Sequence, residues 1–250
     1  MHAIDGGLAV RVVERGGLAA VYPAARTHAE GLFEAVIADR DELFPYELEI
    51  EDYAGHIHRG CDPYSFWLQF STQDQYLFNE GTHYRAYEVL GVHPRRIDGV
   101  DGTYFAVWAA NARRGSVVGD FNRWDGRLHA MRPLGSSGLW EIFVPEVGEG
   151  SVYKYEILSC EGDVLLKADP FASAAEEPPR TASITCSLAD FAWGDDEWMA
   201  ARAERDWTAE PLAIYEVHPG AAPTRRRSVI ANWHTNWSRT FWNWALPTSS

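Results

Sequence analysis

Tyr153-Lys154-Tyr155-Glu156-Ile157 alternates large apolar and charged side chains without a break. Successive side chains on a strand point to opposite faces, so Tyr153, Tyr155 and Ile157 share one face and Lys154 and Glu156 the other. The spacing predicts a half-buried strand. Outward from it, short strand-like runs recur between Gly, Pro and Asp turns, at residues 9–13, 46–50, 103–108, 116–118 and 140–144.

The central strand also belongs to a repeat. Gly31-Leu32-Phe33-Glu34 returns 107 residues later as Gly138-Leu139-Trp140-Glu141. The same offset carries Tyr46 to Tyr153, Ile50 to Ile157 and Gly55 to Gly162. It also carries Asp62-Pro63-Tyr64 to Asp169-Pro170-Phe171. One ungapped register that holds strand, turn and Asp-Pro marks predicts two copies of one β-sandwich. Carried backwards, the run 103–108 falls at or before residue 1, so the first copy is expected to lack its opening strand. The fold class is therefore all-β: two tandem immunoglobulin-like sandwiches, the first incomplete. Residues 195–207 read as a helix with Asp195, Asp196 and Glu197 in its first turn, where the helix dipole favours acids. Residues 212–217 read as a short buried strand. From Pro219 the composition changes: residues 221–250 hold four Arg, no acid, and Trp233, Trp237, Trp242 and Trp244.

Bulk properties exclude several classes. No run approaches the roughly 18 apolar residues that would span a bilayer, and the N-terminus carries no signal-peptide pattern, so no membrane partner is expected. A net charge of −14 argues against nucleic acid, which needs clustered Lys and Arg. Cys61, Cys160 and Cys186 are odd in number and lack metal-ligand spacing; free buried thiols in a reducing compartment are expected. There is no phosphate-cradling glycine loop, no Ser-His-Asp order and no nucleotide fingerprint, so no cofactor is expected. Asp62 and Asp169, each before Pro, read as turn formers rather than acids of a reaction. His56 and His58 alternate on a strand-like stretch without a third ligand and read as ordinary strand histidines.

Several strings taken together resemble the N-terminal region of bacterial glycogen branching enzymes. They are Glu80-Gly81-Thr82-His83, Leu90-Gly91-Val92-His93-Pro94, Phe105-Ala106-Val107-Trp108-Ala109-Ala110-Asn111-Ala112 and Gly119-Asp120-Phe121-Asn122-Arg123-Trp124-Asp125-Gly126. Lys167-Ala168-Asp169-Pro170 and Ile214-Tyr215-Glu216-Val217-His218 complete the series, and the resemblance covers about residues 7–218. It implies two β-sandwich modules, the second of carbohydrate-binding module family 48, ahead of an (α/β)8 barrel of the α-amylase superfamily. It implies the transfer of α-1,4-glucan chains to 6-hydroxyls by retaining chemistry on two barrel carboxylates. The match ends at the first barrel strand, 212–217, where Glu216 and His218 stand. No residue here matches either carboxylate, so no catalytic residue and no catalysis by this chain alone is expected. The tail reads as the product of a shifted frame, since the neighbouring frame can encode an amphipathic helix and a strand.

The resulting division is 1–75 for the first module, 76–95 for the inter-module segment and 96–192 for the second module. A linker helix and barrel strand follow at 193–218, then the divergent tail at 219–250. By resemblance, the glycan-binding residues are Trp124, Lys154, Asn122, Thr181 and Ser183. An indole can cover the C–H face of a sugar ring while polar groups hold its hydroxyls. A second reading stands beside it, in which Trp124 packs at the sandwich edge and Lys154 is a solvated charge. Where strong glycan-binding relatives carry a second stacking Trp, residues 162–166 read Gly-Asp-Val-Leu-Leu. The expected partner is α-1,4-glucan, the expected compartment the cytoplasm and the expected state a monomer. A free-standing glycan-binding module, or the N-terminal part of a debranching or trehalose-forming relative, are the alternatives.

Overall fold

The computed structural model describes residues 7–16, 20–38, 40, 42, 44–188, 192–206 and 208–209. The expected strand at 212–217, with Glu216 and His218, and the tail with its four tryptophans lie outside the described residues. The chain divides into two compact units, Met1–Phe191 and Ala192–Ser250. In the second, a helix runs over Asp196–Glu204, with Asp196 and Glu197 in its first turn, as the acid pattern predicted.

The first unit opens with β1 (Gly7–Glu14), β2 (Val21–His28), β3 (Leu32–Glu34), β4 (Tyr46–Asp52) and β5 (Ile57–Cys61). They form one antiparallel sheet in the order β3-β2-β1-β4-β5. A helix α1 (Thr72–Glu80) follows. Ser71 Oγ caps it by accepting the Asp74 N–H, and Gly81 ends it at φ 81°, a left-handed cap that glycine adopts without a Cβ penalty.

Two further sheets make a sandwich. One contains β6 (Gly91–Ile97), β7 (Val100–Trp108), β10 (Leu139–Pro145) and β9 (Arg132–Pro133), in the order β6-β7-β10-β9. In the other, β11 (Val152–Ser159) pairs with β8 (Ala112–Gly119), β12 (Val164–Lys167) and β14 (Ser183–Ile184), and β14 pairs with β13 (Ala174–Ala175). The predicted alternation on β11 holds. Tyr153 and Tyr155 are fully buried against Phe105, Val107, Val117, Trp140 and Ile142 between the sheets. Burying each such side chain contributes about 1.5–3 kcal/mol.

The β7/β10 sheet is buried on its other face as well. Tyr104, Ala106, Leu139 and Phe143 pack there against Phe66, Phe70 and Leu90 from the segment that joins the two copies. Glu141 points into this second layer with no exposed surface. Its carboxyl accepts the backbone N–H groups of Gln69 (3.1 Å) and Phe70 (2.8 Å) and the Tyr104 hydroxyl (3.0 Å). Arg132 donates to it at 3.4 Å and to the Phe66 carbonyl at 2.7 Å. A buried acid is tolerable only when its acceptor sites are filled in this way. Here it fastens the connecting segment to the sandwich.

The repeat read from the sequence is a repeat of geometry. Tyr46 donates to Asp62 Oδ2 at 2.7 Å, and Tyr153 to Asp169 Oδ2 at 2.6 Å. Asp62 Oδ1 accepts the Tyr64 N–H at 2.9 Å, and Asp169 Oδ1 the Phe171 N–H at 2.8 Å. Ala25 faces Glu34 as Arg132 faces Glu141, and Arg26 faces Phe33 as Pro133 faces Trp140. Gly55 and Gly162 close the matching hairpins at φ 83° and 99°. One shift intervenes. Arg11 pairs with Glu49, while Ser116 pairs with Glu156, so β1 matches β8 at an offset of 105. Among the described residues, no strand takes in the first copy the place that β7 holds in the second.

The cysteines need correction. Cys160 is exposed and Cys61 and Cys186 are partly covered, so the thiols are free but none is buried. Each sits at a strand end or in a loop rather than on an inward strand position.

Candidate functional site

The Gly-Asp-Phe-Asn-Arg-Trp-Asp-Gly motif leaves β8 as a 3-10 turn over Asp120–Asn122 and then bends back on itself. The Asp125 N–H donates to the Asn122 carbonyl (3.1 Å), and the Trp124 N–H to the Gly119 carbonyl (2.9 Å). At the apex Arg123 and Trp124 both have left-handed backbones, φ 55° and 61°. Two consecutive non-glycine residues there are strained, and such strain persists only where the surroundings over-determine it.

Asn122 supplies that determination. It is 2% exposed. Its Oδ1 accepts the Gly119 N–H (2.9 Å), and its Nδ2 faces the Val117 carbonyl and His129 Nδ1 (both 2.9 Å). The turn in turn presents Trp124, 38% exposed, with the indole N–H donated to Asp120 Oδ1 at 2.8 Å. That bond fixes the ring plane and leaves ring surface open to solvent. Arg127 binds Asp125 through side chain and backbone and pulls its carboxyl down to about 2, closing the loop.

The loop folds over the outward face of β11. A Cβ on Gly126 would run into the Glu156 carboxylate, so this glycine lets the loop meet it. Arg114 holds that carboxylate at 2.8 Å. Two residues back on the same face, Lys154 Nζ donates to Thr181 Oγ1 at 2.8 Å. Pairing of β14 with the start of β11, and of β8 with the same stretch, brings Trp124, Lys154 and Thr181 to one end of one sheet.

Two of the residues expected to touch glycan do not fit that role. Asn122 is enclosed, with its amide spent on the turn. Ser183 is 1% exposed, and its Oγ accepts the Asp169 N–H at 2.9 Å. Both hold the site from beneath. The resemblance matched their positions but not their depth: Ser183 is enclosed in β14, while Thr181, ahead of the strand, is exposed. Sequence reasoning also missed Asp120, whose signal is an acid four residues before Trp124, and Glu156, the seat of Gly126.

Asp169 gathers Tyr153, Tyr155 (3.3 Å), the Phe171 N–H and the Ser183 hydroxyl around it. Burial raises its carboxyl above the ordinary value, against the lowering effect of the Tyr153 and Tyr155 hydroxyls and the Phe171 N–H. It is a structural post under the site, which extends the turn-forming role expected of it. His56 and His58 both face Asp52, at 3.2 and 3.6 Å, on the exposed β4–β5 hairpin. A separate cleft of about 560 Å³ is lined by Tyr87, His93, Arg95, Phe171 and Leu188, and none of the glycan-binding candidates borders it.

The second sandwich thus presents one exposed indole on a strained turn, beside an ammonium and a hydroxyl. Residues 89–172 match carbohydrate-binding module 48 (isoamylase N-terminal domain). The chain is 46% identical over 208 residues to the 1,4-alpha-glucan branching enzyme of Synechococcus sp. (strain JA-3-3Ab), covering 80% of this chain and 27% of that relative. It is 50% identical over 200 residues to that of Myxococcus xanthus (strain DK1622), covering 79% of this chain and again 27% of the relative. A solved pullulanase complexed with maltotriose from Anoxybacillus sp. LM18-11 aligns with 74% of this chain and 25% of its own, at 17% identity and a TM-score of 0.34. Over about four fifths of its length the chain is similar to the N-terminal region of 1,4-alpha-glucan branching enzymes, and it spans about a quarter of the length of these relatives.

Proposed function

We propose that this region holds α-1,4-glucan for a 1,4-alpha-glucan branching enzyme, with catalysis residing in the portion of such an enzyme that this chain does not contain. The carrying observation is Trp124, lifted into solvent on two left-handed residues and steered by Asp120. Backbone strain clusters at functional positions, and a fixed aromatic face is what a sugar ring stacks on. Lys154 and Thr181 supply donors for hydroxyls beside it. A chain of net charge −14 meets no repulsion from a neutral polysaccharide.

Strand β12 carries Val164, Leu165 and Leu166 where strong binders carry a second stacking Trp, so one ring does the stacking. A dissociation constant of about 1 mM, or about −4 kcal/mol, follows for a short maltooligosaccharide. In a branching enzyme, weak holding suits a chain that must be handed on, and longer glucans gain by offering many equivalent segments. Three free thiols suit a reducing cytoplasm.

Native electrophoresis through gels with and without glycogen tests this. The purified chain is expected to be retarded by glycogen, and its Trp124→Ala variant to run freely. Incubation with amylose is expected to leave the iodine-complex spectrum unchanged. Equal retardation of both proteins contradicts the site; a spectral shift contradicts the assignment of catalysis elsewhere.

A further inference from the structure

We infer that two copies of this chain pair through β12, antiparallel and centred on Leu165, as a weak dimer rather than the monomer expected from the sequence. Val164, Leu165 and Leu166 are 58%, 40% and 54% exposed. β12 pairs with β11 on one side and, among the described residues, with no strand on the other. The Ser159 N–H donates to the Asp163 carbonyl at 2.9 Å, and Leu165 and Lys167 stand opposite Ile157 and Tyr155. Bonded and non-bonded pairs alternate along an antiparallel ladder. Asp163, Leu165 and Lys167 therefore spend their backbone groups on β11, while Val164 and Leu166 turn theirs out of the edge.

The repeat shows that the fold does not demand this apolar run. The matching edge of the first copy is β5. There Ile57, His58 and Arg59 stand opposite Glu51, Ile50 and Glu49, as Val164, Leu165 and Leu166 stand opposite Leu158, Ile157 and Glu156. Arg59 is held by Glu49 at 2.7 Å, and His58 lies 3.6 Å from Asp52. Charged side chains of this kind blunt an edge against further pairing. β12 carries none between Asp163 and Lys167.

Asp163-Val164-Leu165-Leu166-Lys167 is its own complement, and all five residues are exposed. Laid antiparallel on a copy of itself about Leu165, it sets Val164 against Leu166, Leu165 against Leu165 and Asp163 against Lys167. An apolar centre is then closed by an ion pair at each end. Val164 and Leu166, whose backbone groups are free, fall opposite each other as a bonded pair must. A slip of two residues keeps that bonding pattern but loses both ion pairs. The contact is isologous and closes on itself. Its two-fold axis stands perpendicular to the joined sheet, so both Trp124 loops, which lie over the outward faces of the two β11 strands, look the same way. Two weak sites on one side of one sheet engage a polysaccharide together and raise avidity without a new contact. That consequence rests on the reading of Trp124 as a glucan site; the pairing does not.

Sedimentation equilibrium of the whole chain, with no glucan present, tests the pairing. The average mass is expected to climb from one chain toward two between roughly 10 µM and 1 mM. Asp163→Lys and Lys167→Asp each set like charges opposite one another and are expected to weaken association at least about tenfold, whereas the double variant restores opposite charges and is expected to recover it to within about threefold. Trp124→Ala is expected to leave association unchanged, so a failure of the pairing and a failure of the glucan reading are told apart. Under mild oxidation Leu165→Cys, which faces its own copy, is expected to give a disulfide-linked dimer. Val164→Cys faces Leu166 instead and is expected to give no more than the unaltered chain. No rise in mass by about 1 mM, no recovery in the double variant, or equal linking of the two cysteine variants overturns the inference.

Discussion

Asn122 spends its side chain on the backbone around it, and Trp124 spends none of its exposed face on the protein. The two residues separate stability from binding. Asn122→Ala removes a buried three-way bracket and leaves the Gly119 N–H and the Val117 carbonyl without it, a loss of about 2–3 kcal/mol by denaturant unfolding. Glycan affinity is expected to fall with it, because the left-handed turn loses what enforces it. Trp124→Ala is expected to weaken maltooligosaccharide binding about tenfold, roughly 1.4 kcal/mol, and to leave the unfolding midpoint in place. Equal destabilisation by the two variants contradicts the division. The motif itself was legible in the sequence, because Gly, Asp, Asn and Gly mark a tight turn and a tryptophan inside it stands out. Which polar members face inward was not. Depth depends on the register of β8 and β14, and a two-residue strand such as β14 leaves no alternation to read.

Among the elements, β10 and the segment before α1 are joined by the carboxyl of Glu141. Glu141→Ala strands the Tyr104 hydroxyl, two backbone N–H groups and Arg132 in a dry layer, at a cost of about 3–5 kcal/mol. Hydrogen exchange at Gln69 and Phe70 is expected to rise first in that variant. Unaltered protection there contradicts the clamp. The sequence read the strands with strong alternation or β-branched runs, β1, β4, β7, β8, β10 and β11, to within a few residues. Between the two copies, α1 is followed by a short 3-10 turn over Ala86–Glu88. The sequence did not single out β2 or β6, each of which contains a proline: Pro23 and Pro94 sit where strand patterning argues against a strand. Nor did it anticipate that the β7/β10 sheet is buried on both faces. The near-continuous apolar run Tyr104-Phe105-Ala106-Val107-Trp108 carried that signal, since a strand covered on both faces need not alternate.

For the whole molecule, the Tyr-Asp posts of the two copies bear on alkaline stability. Burial, then the nearby carboxyls of Asp62, Glu141 and Asp169, raises the phenols of Tyr46, Tyr104, Tyr153 and Tyr155 above the ordinary value of 10. A raised folded value favours the protonated form. The stability these tyrosines contribute is therefore fully present below pH 10 and lost as pH rises through their folded values. At pH about 11 fewer than all eleven tyrosines are expected to show tyrosinate absorbance in the folded chain, and all of them after unfolding in denaturant. Complete titration without unfolding contradicts the buried posts. The repeat that holds these posts was legible as an offset of 107 because Gly, Asp-Pro and Tyr tolerate few substitutes at such positions. The two-residue shift between β1 and β8 was not, since those strands share no turn marks.

The most direct test of glycan holding is a proton–nitrogen NMR titration of the chain with maltoheptaose, following the indole N–H resonances. Trp124→Phe identifies the Trp124 signal by its disappearance. That signal is expected to shift saturably, with the Lys154 and Thr181 backbone amides moving in step and the remaining indoles holding still. A Trp124 signal that stays fixed while maltoheptaose reaches several millimolar, about fivefold above the expected dissociation constant, contradicts the assignment of this face to α-glucan.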